Sequence, residues 1–269
     1  MAAHGVALDD AAWASPWRRV RVGEKLLLGS GLLLTALIAP PWPAAPLVAL
    51  ACIVAVVGPA RIPARRLLIG ASAPLAFIVI GALTVAIRVG EPAAEAWITL
   101  GPLWLDAASV ALGVHVLGRA VAGTLALLLI ATTTPMVDLL TWLRRVGVPG
   151  PLVEIAGLMY RLVFVLLDTA TAIVAAQVGR LGDAPAGGWA GVRRRWENLG
   201  TALGALLVRS WDRAARQSAG WDARGLGDDL VMLARRCERS TRFLAGTAVT
   251  LAGVWALVGT TWLLNGGLG

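Results

Sequence analysis

Residues 107–132 read AASVALGVHVLGRAVAGTLALLLIAT, and this stretch decides the fold class. It is one continuous apolar run, long enough for the roughly 17–25 helical residues that cross a hydrocarbon core. Inside lipid, only helices and closed barrels satisfy every backbone N–H and C=O. Barrel strands show short segments of alternating polarity. This run does not alternate, so it reads as a membrane-spanning helix.

Comparable runs flank it. Residues 26–39 and 44–57 are apolar but slightly short, and Pro40, Pro41, Trp42 and Pro43 separate them. Residues 67–87 and 243–264 are long enough to span. Composition agrees, since 58% of the 269 residues are hydrophobic, whereas soluble domains sit near roughly 45–50% apolar. The pattern predicts an all-α polytopic membrane protein with about five transmembrane helices. Its regions are a polar N-terminus (1–25), four spans (26–132), a long charged segment (133–242), and a last span with the C-terminus (243–269).

Charge sets the expected orientation. The net charge is +8, and residues 133–242 hold 15 of the 24 basic residues. Arg18, Arg19, Arg21 and Lys25 precede the first run, and Arg61, Arg65 and Arg66 lie between the second and third. The connections after the first and third runs carry only Arg88. The positive-inside rule then places the N-terminus and the 133–242 segment in the cytoplasm, and Trp42, Trp97, Trp104 and Trp262 near the outer interface. It also accounts for the basic charge without nucleic acid as a partner. Met1 to Pro16 is mixed in polarity and has no apolar signal-peptide core. The expected location is the cytoplasmic membrane.

Within the charged segment, Ile155 to Gln177 is apolar enough to span. A span there would send residues 178–242 outside with 12 arginines, against the charge rule. We therefore expect a long helix lying partly buried along the cytoplasmic side. A further helix is expected over Val192–Trp221. It has Trp196, Leu199, Leu203, Leu206, Leu207 and Trp211 as its apolar positions, and Arg193, Arg194, Arg195, Arg209, Arg213 and Arg216 as its polar ones. Such a basic amphipathic helix lies on anionic membrane lipid, receives a partner, or simply presents a solvated face.

Both helices end on an arginine among small residues: Gly179-Arg180-Leu181 and Ala223-Arg224-Gly225. One reading is local. A cation meets the negative end of the helix dipole, and a following glycine takes the left-handed cap conformation. The other reading is a pair of docking tips, since the planar guanidinium suits carboxylates and carbonyl edges on a partner.

Several stretches together resemble a known family. They are Ala14-Ser15-Pro16-Trp17-Arg18-Arg19-Val20, Gly23-Glu24-Lys25, Thr133-Thr134-Pro135, Gly147-Val148-Pro149, Tyr160-Arg161 and Ala223-Arg224-Gly225. In order and spacing the chain resembles the transmembrane T component of energy-coupling-factor (ECF) importers, in the cobalt/nickel, CbiQ-like branch. Gly179-Arg180-Leu181 departs from that family's Ala-Arg-Gly signature on both sides of its arginine. The resemblance implies two to three long cytoplasmic coupling helices and two ATPase subunits that receive Arg180 and Arg224. It also implies a separate substrate-binding membrane subunit.

Other classes have less support in the residues. There is no Gly-x-x-x-x-Gly-Lys-[Ser/Thr] phosphate loop, so ATP hydrolysis is expected in partners and no catalytic residue is assigned. The only histidines are His4 and His115, and Cys52 and Cys237 have no zinc spacing, so neither a metal site nor a cofactor is assigned. A self-contained secondary transporter would show buried acids and internal hydropathy symmetry. A membrane-embedded enzyme would show a catalytic cluster at one membrane depth.

Overall fold

The computed structural model describes residues 9, 11–90, 97–100, 103–179, 188–225 and 239–266. The chain forms two compact units, 1–139 with 235–269, and 140–234.

The first unit opens with a short 3-10 helix, Pro16–Arg19. Helices α1 (Val22–Ile38), α2 (Pro41–Val57), α3 (Ala64–Ala86), α4 (Ala107–Thr133) and α8 (Thr241–Gly266) follow in chain order, and α5 (Met136–Val146) begins in this unit. Helix α4 packs along α1, α2 and α3, and α8 packs on α1 and α2. The core is made of small and aliphatic side chains, with Leu32, Val48, Ala122, Ala126 and Leu129 fully buried. Small residues let helices approach closely. At Gly113 of α4, a Cβ would sit 3.0 Å from the Ala82 carbonyl oxygen and the Ala86 Cβ of α3.

The proline cluster separates α1 from α2 as the sequence implies. Ala39 is extended (ψ 156°), and Trp42 leaves the helical region (φ −113°, ψ 123°), because a residue before proline is driven out of the α conformation. Among the described residues, four helices are long and apolar enough to cross a membrane: α3, α4, α8 and Gly150–Gly179 of the second unit. The predicted first and second spans are the 17-residue helices α1 and α2. The chain is thus an all-α polytopic membrane protein.

One element departs from the all-helical expectation. Strands β1 (Arg88–Val89), β2 (Ile98–Leu100) and β3 (Leu103–Leu105) form an antiparallel sheet in the order β1-β3-β2. The signal was a Gly101-Pro102 turn pair between two short, strand-favouring runs. The sheet leads into the α4 N-terminus. There Asp106 accepts from the Ser109 backbone N–H at 2.7 Å, and Ser109 Oγ is 3.2 Å from the Asp106 N–H, which donates to it. This reciprocal capping box satisfies two free helix-end donors. Arg88 lies 3.7 Å from the Asp106 carboxylate and stacks over Trp104.

The second unit holds the rest of α5, α6 (Gly150–Gly179) and α7 (Gly188–Asp222). Gly147 ends α5 with φ 106°, a conformation open mainly to glycine. Its N–H reaches the Arg144 carbonyl, and the Val148 N–H reaches that of Leu143, which answers the last carbonyls of the helix. Pro149 then starts α6. Arg144 lies 3.7 Å from Glu154, whose side chain is only 11% exposed. Helices α6 and α7 pack together, and Gln177 Nε2 donates to the Asn198 carbonyl at 3.2 Å. Both helices extend beyond their expected bounds, 155–177 and 192–221, by a few residues at most ends.

Two outcomes follow from these contacts. The Ser109 hydrogen bonds, aided by Arg88, hold the Asp106 carboxyl below its usual range. A carboxylate with a lowered folded pKa stabilises the fold above its unfolded value, and that contribution is lost as pH falls through the folded one. Below pH about 4, the melting temperature of the parent in detergent should therefore fall more steeply than that of Asp106→Asn. Removing only the cation beside Glu154 strands a largely buried carboxylate. Arg144→Met should cost about 1 kcal/mol, since the guanidinium is half exposed. Adding Glu154→Gln should recover most of that loss in the same melts.

Candidate functional site

Helix α7 is 35 residues long and buries little of itself within the chain. Its contacts run to α6, where Val174, Gln177, Val178, Arg195, Asn198 and Leu199 line an open groove of about 170 Å³. Trp189, Trp196, Leu203, Leu207 and Trp211 are all more than half exposed. At 100° per residue these five fall on one helical stripe. Arg194, Arg209 and Arg216 fall on the far side. The helix is therefore amphipathic with its apolar stripe uncovered. Helix α6 is similar, with only 6% of its most apolar stretch buried within the chain. Glu154, Arg161 and Asp168 recur every seven residues, near one stripe of α6; Glu154 is buried, whereas Arg161 and Asp168 are exposed.

The second arginine tip is well defined. Ala223, Arg224 and Gly225 form the turn that ends α7, and all three are exposed. Their N–H groups donate to the carbonyls of Ala219, Trp221 and Asp222. Gly225 has φ 61°, the left-handed cap conformation. The local reading is thus correct in geometry, and it leaves the Arg224 side chain projecting at the helix tip. Gly179 is the exposed last residue of α6. Arg180 lies outside the described residues, as do His4 and Cys237.

The described end of α6 at Gly179 lies well away from the Arg224 tip. Gln177, two residues before Gly179, bonds to Asn198 of α7. From Asn198 to the end of α7 at Asp222 the helix rises about 36 Å at 1.5 Å per residue.

A second group of residues carries contacts that the sequence reading did not identify. Ser15 caps the 3-10 helix through the Trp17 N–H and donates to the Ala60 carbonyl. Trp17 stacks edge-on against Phe243 with ring centroids 4.9 Å apart. Lys25, 0% exposed, donates from Nζ to the Thr133 carbonyl at 2.8 Å. The Glu24 carboxylate, also buried, accepts from the Ser240 N–H at 3.1 Å. Two stretches quoted separately above, Gly23-Glu24-Lys25 and Thr133-Thr134-Pro135, thus meet. The available signal was that Lys25 is the chain's only lysine.

Within the fourth expected span, Arg119 Nη2 donates to the Ala39 carbonyl at the end of α1 at 3.0 Å. This is a helix-packing contact. Among the described residues no group of three His, Cys, Asp or Glu side chains gathers as a metal site.

Comparison with known proteins places this architecture. A family model described as "Cobalt transport protein", CbiQ, matches residues 14–229. The cobalt transport protein CbiQ of Rhodobacter capsulatus is 39% identical over 246 residues, covering 91% of this chain and 94% of its own. The protein of the same name in Salmonella typhimurium is 29% identical over 210 residues, covering 75% and 88%. A Methanocorpusculum labreanum protein, provisionally named a fused cobalt transport protein CbiMQ, is 28% identical over 227 residues. Those residues are 81% of this chain and 36% of that relative. These relatives are named as transport proteins, and the family match runs from Ala14 past both arginine tips: the chain belongs to the CbiQ cobalt transport protein family.

Proposed function

We propose that this chain is the transmembrane coupling subunit of an ECF-type ABC importer for cobalt, with nickel as the other cargo of that branch. Its work is to pass motion from two ATPase subunits to a separate substrate-binding membrane subunit. The observation that carries the reading is Arg224, held at an exposed and capped helix tip on a helix whose apolar stripe is left exposed among the described residues. A tip of this kind can enter a groove on a partner, and the capping hydrogen bonds keep it stiff under load.

Arg180 is the matching contact on α6, with Gly179 as its small neighbour. Ala223 and Gly225 play that part beside Arg224. An α6 end at Gly179 and an Arg224 tip set about 36 Å further along α7 suit two ATPase subunits better than one. ATP-driven closing of the ATPase pair would draw the tips together, and two bound sites would then bias one bistable element. The name of the Methanocorpusculum relative, a fusion in which this chain's match fills 36%, supports work beside a second component.

In this reading the protein sits in the cytoplasmic membrane. Its N-terminus and the 140–234 unit face the cytoplasm, with α6 lying along that side, as the arginine distribution favours. The uncovered stripes of α6 and α7 meet lipid and the substrate-binding subunit. ATP is hydrolysed by the partners.

The test is a gentle purification of the tagged chain from native membranes, with co-purifying proteins identified by mass spectrometry. An ATPase should accompany the parent. It should fall by about tenfold or more in the Arg180→Glu/Arg224→Glu variant, since reversing a buried interfacial charge costs several kcal/mol. Absence of any ATPase from the parent across several mild detergents would refute the reading.

A further inference from the structure

The 140–234 unit leaves the membrane-helix unit after Leu139 and returns to it by residue 235. The N-terminal segment holds the helix ends of the first unit that flank both crossings. On the outgoing side, Lys25 holds the Thr133 carbonyl at the end of α4, and the Asp9 carboxylate lies 3.5 Å from the Met136 N–H at the start of α5. On the returning side, Glu24 holds the Ser240 N–H and Trp17 packs on Phe243. Ser240 itself caps α8, accepting on Oγ from the Phe243 N–H.

Each charge matches the helix pole it touches. A cation faces the negative C-terminal end of α4, and carboxylates face the positive N-terminal ends of α5 and α8. Glu24 and Lys25 are sequence neighbours, 6% and 0% exposed, so one turn of α1 fixes both crossings. Desolvating two such side chains is costly, and ionisable groups buried in membrane helices commonly mark working parts. The chain uses arginine 23 times and lysine once, here. A compact ammonium can approach a helix-end carbonyl where a planar guanidinium needs more room.

We propose that Glu24 and Lys25 are positioning residues for energy transmission. By pinning the outgoing and returning crossings to one turn of α1, they make α1, α4 and α8 move together when the 140–234 unit is pulled. With either tie cut, that pull is spent on swinging a free connection. This inference rests on the coupling role proposed above.

The experiment uses the full importer, purified with its ATPases and substrate-binding subunit and reconstituted in liposomes, with cobalt uptake and ATP hydrolysis measured together. Lys25→Met and Glu24→Ala are compared with the parent. The expected result is that both variants keep their ATPases and hydrolyse ATP within about twofold of the parent, while cobalt moved per ATP falls by about tenfold, the scale of one charge-assisted hydrogen bond. An unchanged ratio in both variants overturns the proposal. So does failure of both to accumulate in the membrane, which assigns the pair to folding alone. If only one accumulates, its ratio decides. A parent complex that carries no ATPase would instead refute the coupling role itself.

Discussion

A polar group among hydrocarbon has no water to bond to, and the first unit is arranged around that constraint. Where prolines end α1, the Ala39 carbonyl receives Arg119 from α4. Where α4 ends, the Thr133 carbonyl receives Lys25. Thr35, Thr132 and Thr133 turn their hydroxyls back onto carbonyls four residues earlier. The indole N–H of Trp255 on α8 finds Thr35 on α1. Each is a local answer to a dry environment, and together they fix which helix ends meet. Packing of small residues then brings α3 and α4 close at Gly113.

The second unit follows different physics. Its helices are long, capped at defined residues, and largely bare. Gly147 and Gly225 both adopt left-handed backbone, and each closes a helix without a bulky side chain. The apolar stripe from Trp189 to Trp211 would be a liability on a protein acting alone in water. Under the coupling role proposed above, lipid or a partner covers that stripe, and the arginines on the far side keep the opposite face wet.

Much of this was legible in the sequence. The apolar runs gave α3, α4 and α8 to within a few residues, since twenty apolar residues in a row have one low-energy conformation in lipid. The prolines between 40 and 43 gave the α1–α2 break. The Ala223-Arg224-Gly225 tip was readable, because its cap depends on local chemistry. Two features were not read. The small sheet of Arg88–Val89, Ile98–Leu100 and Leu103–Leu105 has strands of two or three residues, too short to show an alternating pattern, although the Gly101-Pro102 pair is a turn signal. Helix α1 begins at Val22, so Glu24 and Lys25 lie in a buried first turn, not in a solvated N-terminus. Burial depends on partners 108 and 216 residues away in the chain, Thr133 and Ser240, and no local pattern reports those contacts. The only lysine was a clue that composition offered without a position for its partner.

Under the proposed function, this chain transmits motion and does not itself carry cobalt. The most direct measurement is cobalt flux into liposomes that contain the purified chain alone, under cobalt and proton gradients, beside liposomes holding the chain with ATPases and a substrate-binding subunit. A coupling subunit should give no flux above empty liposomes when alone, and ATP-dependent uptake in the assembled set. Saturable, gradient-driven cobalt uptake by the chain alone would contradict this reading and establish a self-contained transporter.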